Sequence, residues 1–395
     1  MSESLIEKAQ RLKPVISAAA DQIDEDRALP EALVAKLKAA GFYRALIPVR
    51  FGGLERPLPE YLRSIQVLAE ADASTAWCVN QGSVIGTGTV WLHPDVVTEI
   101  WSDPEMAFAN GPPGDGQVEL TGDGVIATGR WGFSSGCRHA AWMTAAAPVV
   151  DAPDKVATPP VTAPSKAPPP RPHREWRTIF FPKQYATFHD TWDVQGLRGT
   201  ASFEFSLHRL KVPARQVANM ANAPSHDSAF YRIPTGLVFA VTFAAVALGV
   251  ARAGVDATLD LAQGKLPRFN NIVVKDDPDA QKMMGEAEIR WRAAETFLKG
   301  TVDRVWDELT HQNAITSAQR VDLRMAGTHT IRESAAALDL AYTVAGSSGI
   351  YRSHPLHRRY QDMHVITQHV QARMLYYGFV GRYFLGHPFV PGPLN

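Results

Sequence analysis

The sequence predicts a mostly helical α+β protein in which two helical domains flank a small β-domain. Three observations lead to this fold class. Helical periodicity runs to about residue 110, short strand-like runs separated by Gly, Asp and Pro continue to about residue 220, and long helical segments follow. We therefore expect domains at 1–110, 111–220 and 221–395. With 395 residues, 45% of them hydrophobic, the chain is long enough for two or three cores.

The first domain is predicted from two amphipathic segments. Apolar residues recur at Leu33, Leu37 and Ala40, and Gly41 then supplies a natural helix stop. A second helix is predicted over the segment LPEYLRSIQVLAEAD, which has the same periodic character. This part of the chain therefore reads as a small helical domain.

The β-domain is predicted from four runs rich in strand-forming residues: GVIATGRWGF, AAWMTAAAPVV, RTIFFP and FEFSLHRLKVP. Between the second and third runs, the segment 151–174 contains eight prolines and cannot pack as a core. We expect it to be a mobile, partly extended insertion in the β-domain.

The third domain is predicted to be a four-helix bundle, because short breakers such as Gly264–Pro267 separate helical segments at 235–263, 279–312, 317–345 and 355–386. The first of these lies within a run of 19 uncharged residues, Ile233 to Ala251, about long enough to span a bilayer. Its proline, its glycines and its lack of aromatic belts favour a buried helix of a bundle instead.

Composition favours a small-molecule partner. The 40 basic and 40 acidic residues balance, so the chain offers no field to attract nucleic acid or an anionic membrane. The two cysteines, Cys78 and Cys137, have no metal-ligand spacing and suit a reducing compartment. The amino terminus lacks the basic-then-apolar order of a signal peptide, so we expect a cytoplasmic protein.

Four histidines lie between His354 and His369, in HPLHRRYQDMHVITQH, a stretch predicted to be one helix. On such a helix His364 and His369 would be about 140° apart around the axis and could not both point at one atom. A zinc site is disfavoured because no Cys or Glu stands at ligand spacing. Histidine nevertheless titrates near neutral pH and is suited to proton transfer.

Five segments occur in an order and spacing that resemble the acyl-CoA dehydrogenase fold: RALPEALVAKLKAAGFYRALIPVRFGG, ADASTAW, GRWGFSSG, DTWDVQGLRGTASFEF and AGSSGIYRSHPLHRRYQD. The chain resembles most closely its monooxygenase branch, the group D two-component flavin-dependent hydroxylases of phenols, steroid catechol precursors, indoles or thiophenes. The resemblance covers nearly the whole chain except the Pro-rich insertion. It implies an N-terminal helical domain, a central β-barrel or sandwich, a C-terminal four-helix bundle and a homotetramer.

The resemblance also implies the chemistry. A separate reductase would supply reduced flavin, FMNH2 or FADH2, which reacts with O2 to a C4a-hydroperoxyflavin that hydroxylates a small aromatic substrate. In agreement, no GxGxxG or GxxxxGK motif follows a strand, which argues against a Rossmann domain and internal reduction by NAD(P)H. The alternatives are a flavoenzyme acting on a CoA thioester, an N- or S-oxygenase, and a binding protein without activity.

Two β-domain motifs, one loop and one turn are the cofactor-binding candidates that the resemblance implies. Their residues are Trp131, Phe133, Ser134, Ser135, Trp192, Arg268, Phe269, Gly346 and Ser347. In the related fold the last turn reaches the flavin of a neighbouring subunit. Each has a plainer reading as well: an ordinary Ser-Ser-Gly turn, a core Trp, an exposed loop Arg and a helix C-cap.

The catalytic candidates follow from a missing carboxylate. Acyl-CoA dehydrogenases use a Glu base, but Val370 stands at or near one of its two family positions and 231–255 contains no acid. Ordinary α,β-dehydrogenation therefore lacks its base. The resemblance instead places the active-site histidine of the hydroxylase branch at His369, to deprotonate a phenol or assist the hydroperoxide. Ser134 and His364 are further candidates, and His364 has the alternative of a structural role.

The substrate-binding candidates lie on the helix after ADAST: Trp77, Asn80 and Ser83. Several hydroxylases of this branch have a further His on this helix, whereas here none occurs between Trp77 and His93. An amide or hydroxyl group would have to line this wall, and these groups recognise carbonyl or hydroxyl groups differently from imidazole.

Overall fold

The structure is a computed structural model. It describes residues 3–150, 175–268, 271–390 and 392. The predicted insertion at 151–174 and the cofactor candidate Phe269 lie outside the described residues.

The amino-terminal part contains five helices: α1 Leu5–Asp26, α2 Glu31–Ala39, α3 Leu58–Ala71, α4 Ala73–Gly86 and α5 Pro94–Trp101. Helix α2 ends where the sequence predicts, and Gly41 then adopts a left-handed φ of 87°. A single residue, Asp72, separates α3 from α4, and its carboxylate caps α4 by accepting the Thr75 backbone N–H at 2.7 Å. Helix α4 is buried along almost its whole length, which places Trp77 at the centre of the molecule.

Among its described residues, the central part forms a sheet of eight strands: β1 Phe108–Gly111, β2 Gln117–Thr121, β3 Gly124–Ser134, β4 Trp142–Val150, β5 Trp176–Pro182, β6 Thr187–His189, β7 Phe203–Pro213 and β8 Val217–Ala218. Their order is β6-β7-β3-β2-β4-β5-β8, with β1 alongside β4. The pairs β1–β4 and β2–β4 are parallel and the other pairs antiparallel. The four predicted strand runs correspond to β3, β4, β5 and β7.

An irregularity in the pairing of β3 with β7 decides which side chains leave the β-domain core. The register shifts between Trp131 and Ser134, and Phe133 takes a left-handed φ of 56°. Trp131 is fully buried, lies 5.4 Å from the ring of Phe205 and donates to the carbonyl of Ala146 at 3.2 Å. The indole of Trp131 thus fills the interior of the sheet, which does not favour the predicted contact of Trp131 with the cofactor.

The carboxyl-terminal part contains five helices: α6 Thr235–Ala262, α7 Pro278–Thr310, α8 Ser317–Ala345, α9 Pro355–Ile366 and α10 Leu375–Phe384. Helix α6 packs against α8 and α3. Of the helices in the described ranges, α6 alone is long and apolar enough to cross a membrane, and 83% of its most apolar window is buried inside the chain. It is packed as a core helix, as the sequence predicted.

The predicted fourth helix, 355–386, is wrong in one respect: it stops at Ile366 and resumes as α10. The intervening residues 367–372, here called the His369 turn, contain His369 with an extended ψ of 150°. Arg332 of α8 donates to the carbonyl oxygens of Thr367 and Ala372 at the two ends of this turn. The carbonyl groups released by breaking the helix are thus paired with a side chain.

Candidate functional site

Three rings from separate elements meet near the middle of the molecule and form what we call the helical wall: Trp77 of α4, Phe243 of α6 and His369. The Trp77 and Phe243 rings stack, with centroids 4.0 Å apart and planes 28° from parallel. The imidazole of His369 lies edge-on to both, 5.1 Å from Trp77 and 4.6 Å from Phe243. Aromatic rings in these arrangements attract one another beyond simple burial of their area.

One face of α8 holds the His369 turn in place. Arg324, Thr328 and Arg332 follow one another at intervals of four residues, so they share that face. Arg332 Nε donates to the carbonyl of Ala372 at 2.8 Å, and Thr328 Oγ1 donates to the carbonyl of Gln371 at 3.0 Å. Arg324 donates to the side-chain oxygen of Gln371. The position of His369 is therefore set by α8, although His369 follows α9 in the chain.

The protonation state of His369 follows from its surroundings. Burial and, to a smaller degree, the charge of Arg373 lower the pKa of His369 to about 4, so the ring is neutral near pH 7. The Gln371 backbone N–H donates to Nδ1 across 3.4 Å. Since an amide N–H can only donate, Nδ1 bears the lone pair and Nε2 bears the proton. Within the described ranges, His369 Nε2 has no hydrogen-bond partner, so the ring has a donor to offer.

The end of β3 and a nearby loop form a second surface, the β wall, made of Phe133, Ser134, Ser135 and Trp192. The Phe133 ring is 54% exposed and lies 6.1 Å from Trp192, edge to face. Ser134 is fully buried, yet its hydroxyl has no partner among the residues that the structure describes. Strained backbone, an exposed ring and an unpaired buried hydroxyl are features that accumulate where a ligand binds.

The two walls are joined by one hydrogen bond. The indole N–H of Trp77 donates to Ser135 Oγ at 3.1 Å, and both side chains are buried. The site therefore has an aromatic side and a hydroxyl-bearing side in direct contact. A flat, partly polar ring system fits the β wall, because the exposed ring of Phe133 offers stacking area and Ser134 has unused hydrogen-bonding capacity.

The remaining predicted cofactor residues lie far from both walls within one chain. Arg268, Gly346 and Ser347 are exposed. They lie near the carboxyl end of α6, where the side chain of Lys265 donates to the carbonyl of Ala345. Phe243 and the end of α6 are 19 residues apart, or about 28 Å along the helix axis. Within one chain these residues therefore lie at the end of α6 that is remote from Phe243.

The structure does not bring His364 to the helical wall. Its Nε2 lies 3.1 Å from Asp339 of α8, and its ring packs against Tyr360 at 4.4 Å. This placement supports the structural reading of His364 rather than the catalytic one. His364 lies on α9 and His369 lies beyond its end, so the predicted angular relation on one helix does not apply.

Of the substrate candidates on α4, only Trp77 belongs to the helical wall. Ser83 is fully buried and donates to the carbonyl of Phe42 at 2.8 Å, which is a structural role inside the amino-terminal helices. Asn80 is also fully buried; its oxygen accepts from Tyr61 at 3.4 Å, while its Nδ2 has no partner among the described residues. Asn80 thus keeps a free donor three residues from Trp77, on the same side of α4.

Sequence reasoning missed Phe243 and the support from α8. Phe243 is hidden in the uniformly apolar α6, where no pattern separates a site residue from the core. The support from α8 could have been found in the sequence. Two arginines and a threonine on one helix face, Arg324, Thr328 and Arg332, imply that carbonyl groups lie opposite them. Sequence reasoning also gave no role to Asp362. In the structure it is buried and accepts the Leu197 backbone N–H at 2.6 Å.

Comparison with known families agrees with this architecture. The model of the acyl-CoA dehydrogenase N-terminal domain matches residues 7–94, and that of the C-terminal domain matches residues 241–374. Among curated proteins, indole-3-acetate monooxygenase of Pseudomonas putida is 28% identical over 94% of this chain and 91% of its own length. The HsaA oxygenase subunit of a flavin-dependent monooxygenase from Rhodococcus jostii is 25% identical over 92% and 93%.

Solved structures show the same fold. The 3-HSA hydroxylase of Rhodococcus sp. RHA1 superposes with a TM-score of 0.87 at 22% identity, covering 100% of this chain and 99% of that one. XiaF from Streptomyces sp., solved with FADH2 and glycerol, has a TM-score of 0.87 at 20% identity, covering 98% and 96%. The two domain models together match more than half of the chain, which belongs to the acyl-CoA dehydrogenase superfamily, and the curated relatives named above are flavin-dependent or indole-3-acetate monooxygenases.

Proposed function

We propose that this chain is the oxygenase component of a two-component flavin-dependent monooxygenase that hydroxylates a small aromatic substrate. The observation that carries the proposal is the contact between the two walls. The β wall offers an exposed ring and an unpaired buried hydroxyl, and the helical wall offers stacked aromatic faces beside a neutral imidazole. Relatives named for indole-3-acetate and p-hydroxyphenylacetate support an aromatic substrate.

The β wall would hold the flavin, either FMN or FAD, through Phe133, Ser134, Ser135 and Trp192. When bound in its reduced form, the flavin supplies the electrons that activate O2. The residues of the chain orient the ring and exclude water from the reacting atoms. Ser134 is suited to this because a buried hydroxyl without a partner gains a full hydrogen bond when a ligand arrives.

The aromatic substrate would lie against Trp77 and Phe243. For His369 the structure favours a different role from the general base that the sequence suggested. The Gln371 N–H occupies Nδ1, and Nε2 already bears a proton, so His369 cannot accept a proton without first losing the bond to Gln371. We propose that His369 Nε2–H donates a hydrogen bond to an oxygen atom in the site, which agrees with its expected assistance of oxygen transfer.

The structure offers no replacement for the dehydrogenase base at either family position. Val370 lies in the His369 turn with 41% of its surface exposed, and α6 has no carboxylate from its start to Val255. The nearby carboxylate of Asp362 is engaged by the Leu197 backbone N–H. Removal of an α-proton from a CoA thioester is therefore less well supported than oxygen transfer.

We further propose that the working form is a cytoplasmic homotetramer served by a separate flavin reductase. Arg268, Gly346 and Ser347 lie near the end of α6 that is about 28 Å from Phe243, which supports their binding the flavin of a neighbouring copy. No dinucleotide-binding GxGxxG motif follows a strand, in keeping with flavin reduction by another protein.

The decisive experiment mixes the protein and chemically reduced FMN or FAD with oxygen in a stopped-flow spectrometer, with and without phenol or indole derivatives. We expect a transient whose absorption differs from those of reduced and oxidised flavin, followed by hydroxylated product within one turnover. Direct conversion to oxidised flavin and hydrogen peroxide, at the rate seen without protein, would overturn the proposal.

A further inference from the structure

The loop 192–202 lies where the three parts of the molecule meet, and it is closely packed on both sides. A Cβ atom added at Gly196 would lie 2.3 Å from the carbonyl oxygen of Gln361 in α9. One added at Gly199 would lie 2.1 Å from the side chain of Ile23 in α1. The backbone of the loop is therefore packed directly against helices of both helical parts.

Within this loop Leu197 adopts a conformation that side-chain-bearing residues avoid, with φ of 52°. A buried carboxylate holds it there: Asp362 of α9 is 4% exposed and accepts the Leu197 N–H at 2.6 Å. Burial and the neighbouring charge of Asp72 raise the pKa of Asp362, whereas Arg358 and Arg359 of α9 oppose that rise. The Leu197 peptide is thus positioned by a group from the far end of the chain.

The carbonyl oxygen of Leu197 is the end of a chain of buried hydroxyl groups. It accepts from Thr200 Oγ1 at 2.8 Å and from the Trp192 indole at 3.0 Å. Thr200 Oγ1 lies 2.6 Å from Ser202 Oγ, and Ser202 Oγ lies 2.7 Å from Ser135 Oγ. At the opposite end, Ser135 accepts from the indole N–H of Trp77. All three hydroxyl-bearing residues are at most 5% exposed.

The two ends of this series of hydroxyl groups fix the direction of each hydrogen bond within it. The indole of Trp77 can only donate, and the carbonyl of Leu197 can only accept. Each of the three hydroxyls has one proton, so all the bonds form together only if each hydroxyl donates toward Leu197. The Ser135 hydroxyl then donates its hydrogen bond to Ser202 Oγ. Only a lone pair of Ser135 Oγ remains for a ligand.

We infer that Asp362, Leu197, Thr200 and Ser202 are positioning residues that make Ser135 a hydrogen-bond acceptor toward the cofactor and thereby favour reduced over oxidised flavin. The inference rests on the proposed function, in which Ser135 faces the flavin. Reduction converts a ring nitrogen of the flavin from an acceptor into an N–H donor. A Ser135 hydroxyl that can only accept pairs with that N–H of reduced flavin. Opposite the same nitrogen of oxidised flavin, which is also an acceptor, its lone pair meets another lone pair and no hydrogen bond forms.

The test compares the affinities of the two flavin forms under anaerobic conditions in wild type, Ser202→Ala and Thr200→Val. Each substitution breaks the chain and frees the proton of Ser135 to turn toward the ligand. We expect the ratio of the oxidised-flavin Kd to the reduced-flavin Kd to fall about tenfold, the value of one hydrogen bond. Ser202→Thr, which keeps the hydroxyl, should restore the ratio.

Ser206→Ala is the matched control. Ser206 lies on β7, which begins one residue after Ser202, and its hydroxyl bonds to His189 at 3.0 Å instead of joining the hydroxyl series. It should leave the ratio unchanged. If Ser202 had only a structural role, its substitution would weaken the binding of oxidised and reduced flavin equally. An unchanged Kd ratio in Ser202→Ala and Thr200→Val would overturn the inference. Wild-type protein that binds neither form would overturn the proposed function itself.

The hydrogen bond from the Leu197 N–H to Asp362 can be tested without flavin. Hydrogen exchange at the Leu197 amide should be slow in wild type and in Asp362→Asn, whose amide oxygen still accepts the bond, and at least tenfold faster in Asp362→Ala. Equal protection in Asp362→Ala would remove Asp362 from the set of positioning residues.

Discussion

The helical wall and the β wall meet at one hydrogen bond but are built in different ways. The helical wall consists of rings placed by regular helices and by packing, with Trp77 and Phe243 stacked at 4.0 Å. The β wall depends on left-handed backbone at Phe133 and Leu197 and on a chain of buried hydroxyls. Changes in the first wall should therefore affect turnover through the shape of the site, and changes in the second should affect cofactor binding.

The largest effect is expected for His369→Ala, which tests whether the helical wall acts on turnover and not on flavin binding. Removing the free Nε2–H donor should lower kcat about 100-fold, the usual effect of losing one preorganised donor, while the Kd for reduced flavin stays within twofold. The measurement is product formation with saturating reduced flavin. His364→Ala is the control, because its ring contacts Asp339 and Tyr360 instead of the helical wall, and it should remain within twofold of wild type. Near-full activity of His369→Ala would exclude the proposed role.

A smaller effect is expected when His369 is kept and its support is weakened. Arg332→Gln removes the charged hydrogen bonds to the carbonyl of Ala372 and should lower kcat about tenfold with flavin affinity unchanged. Arg304→Gln, which breaks ion pairs with Glu308 and Asp322 away from the His369 turn, should have no effect on kcat. A parallel loss of flavin affinity in Arg332→Gln would contradict the separation of the two walls.

The corresponding test of the β wall is Phe133→Gly. Glycine tolerates the left-handed φ of 56°, so the thermal midpoint should stay constant or rise slightly, while loss of the exposed ring should weaken reduced-flavin binding about fivefold. Fluorescence titration and thermal unfolding give the two quantities. Arg209→Gly relieves a similar φ of 49° at an exposed position and should leave flavin affinity unchanged. Unchanged affinity in Phe133→Gly would remove Phe133 from the site.

The smallest expected effect is on stability. Burial raises the pKa of Asp362 to about 7, well above its value in the unfolded chain, so the native state holds this proton more tightly. The free energy of unfolding therefore falls as pH rises toward and through 7. Asp362→Asn, which cannot titrate, should gain about 1 kcal/mol on wild type between pH 6 and pH 8 in urea unfolding. A pH-independent difference would show that Asp362 is already ionised at pH 6.

The elements that the sequence predicted well are those whose signal is local. Periodicity and breakers located α2, α3 and the four main strand runs, whereas the roles that the resemblance implies for His369 and the Ser134–Ser135 pair stay predictions. The break after Ile366 was not predictable in this way, because Arg332, remote in sequence, stabilises it. The burial of Trp131 was not predictable either, because the register shift in β3 decides which side chain leaves the core, and nothing in the local pattern reports that shift.

The single contact between Trp77 and Ser135 has a consequence for protein engineering. Because this is the one hydrogen bond between the two walls in the described part of the chain, we expect most positions of the helical wall to tolerate substitution in a library without a change in flavin binding. Trp77 is the exception, since its ring belongs to the helical wall and its N–H sets the direction of the hydrogen bonds behind the β wall. Saturation libraries should therefore randomise Phe243 first, together with Phe239, whose ring stacks on that of Phe243 at 5.4 Å, and keep Trp77 unchanged.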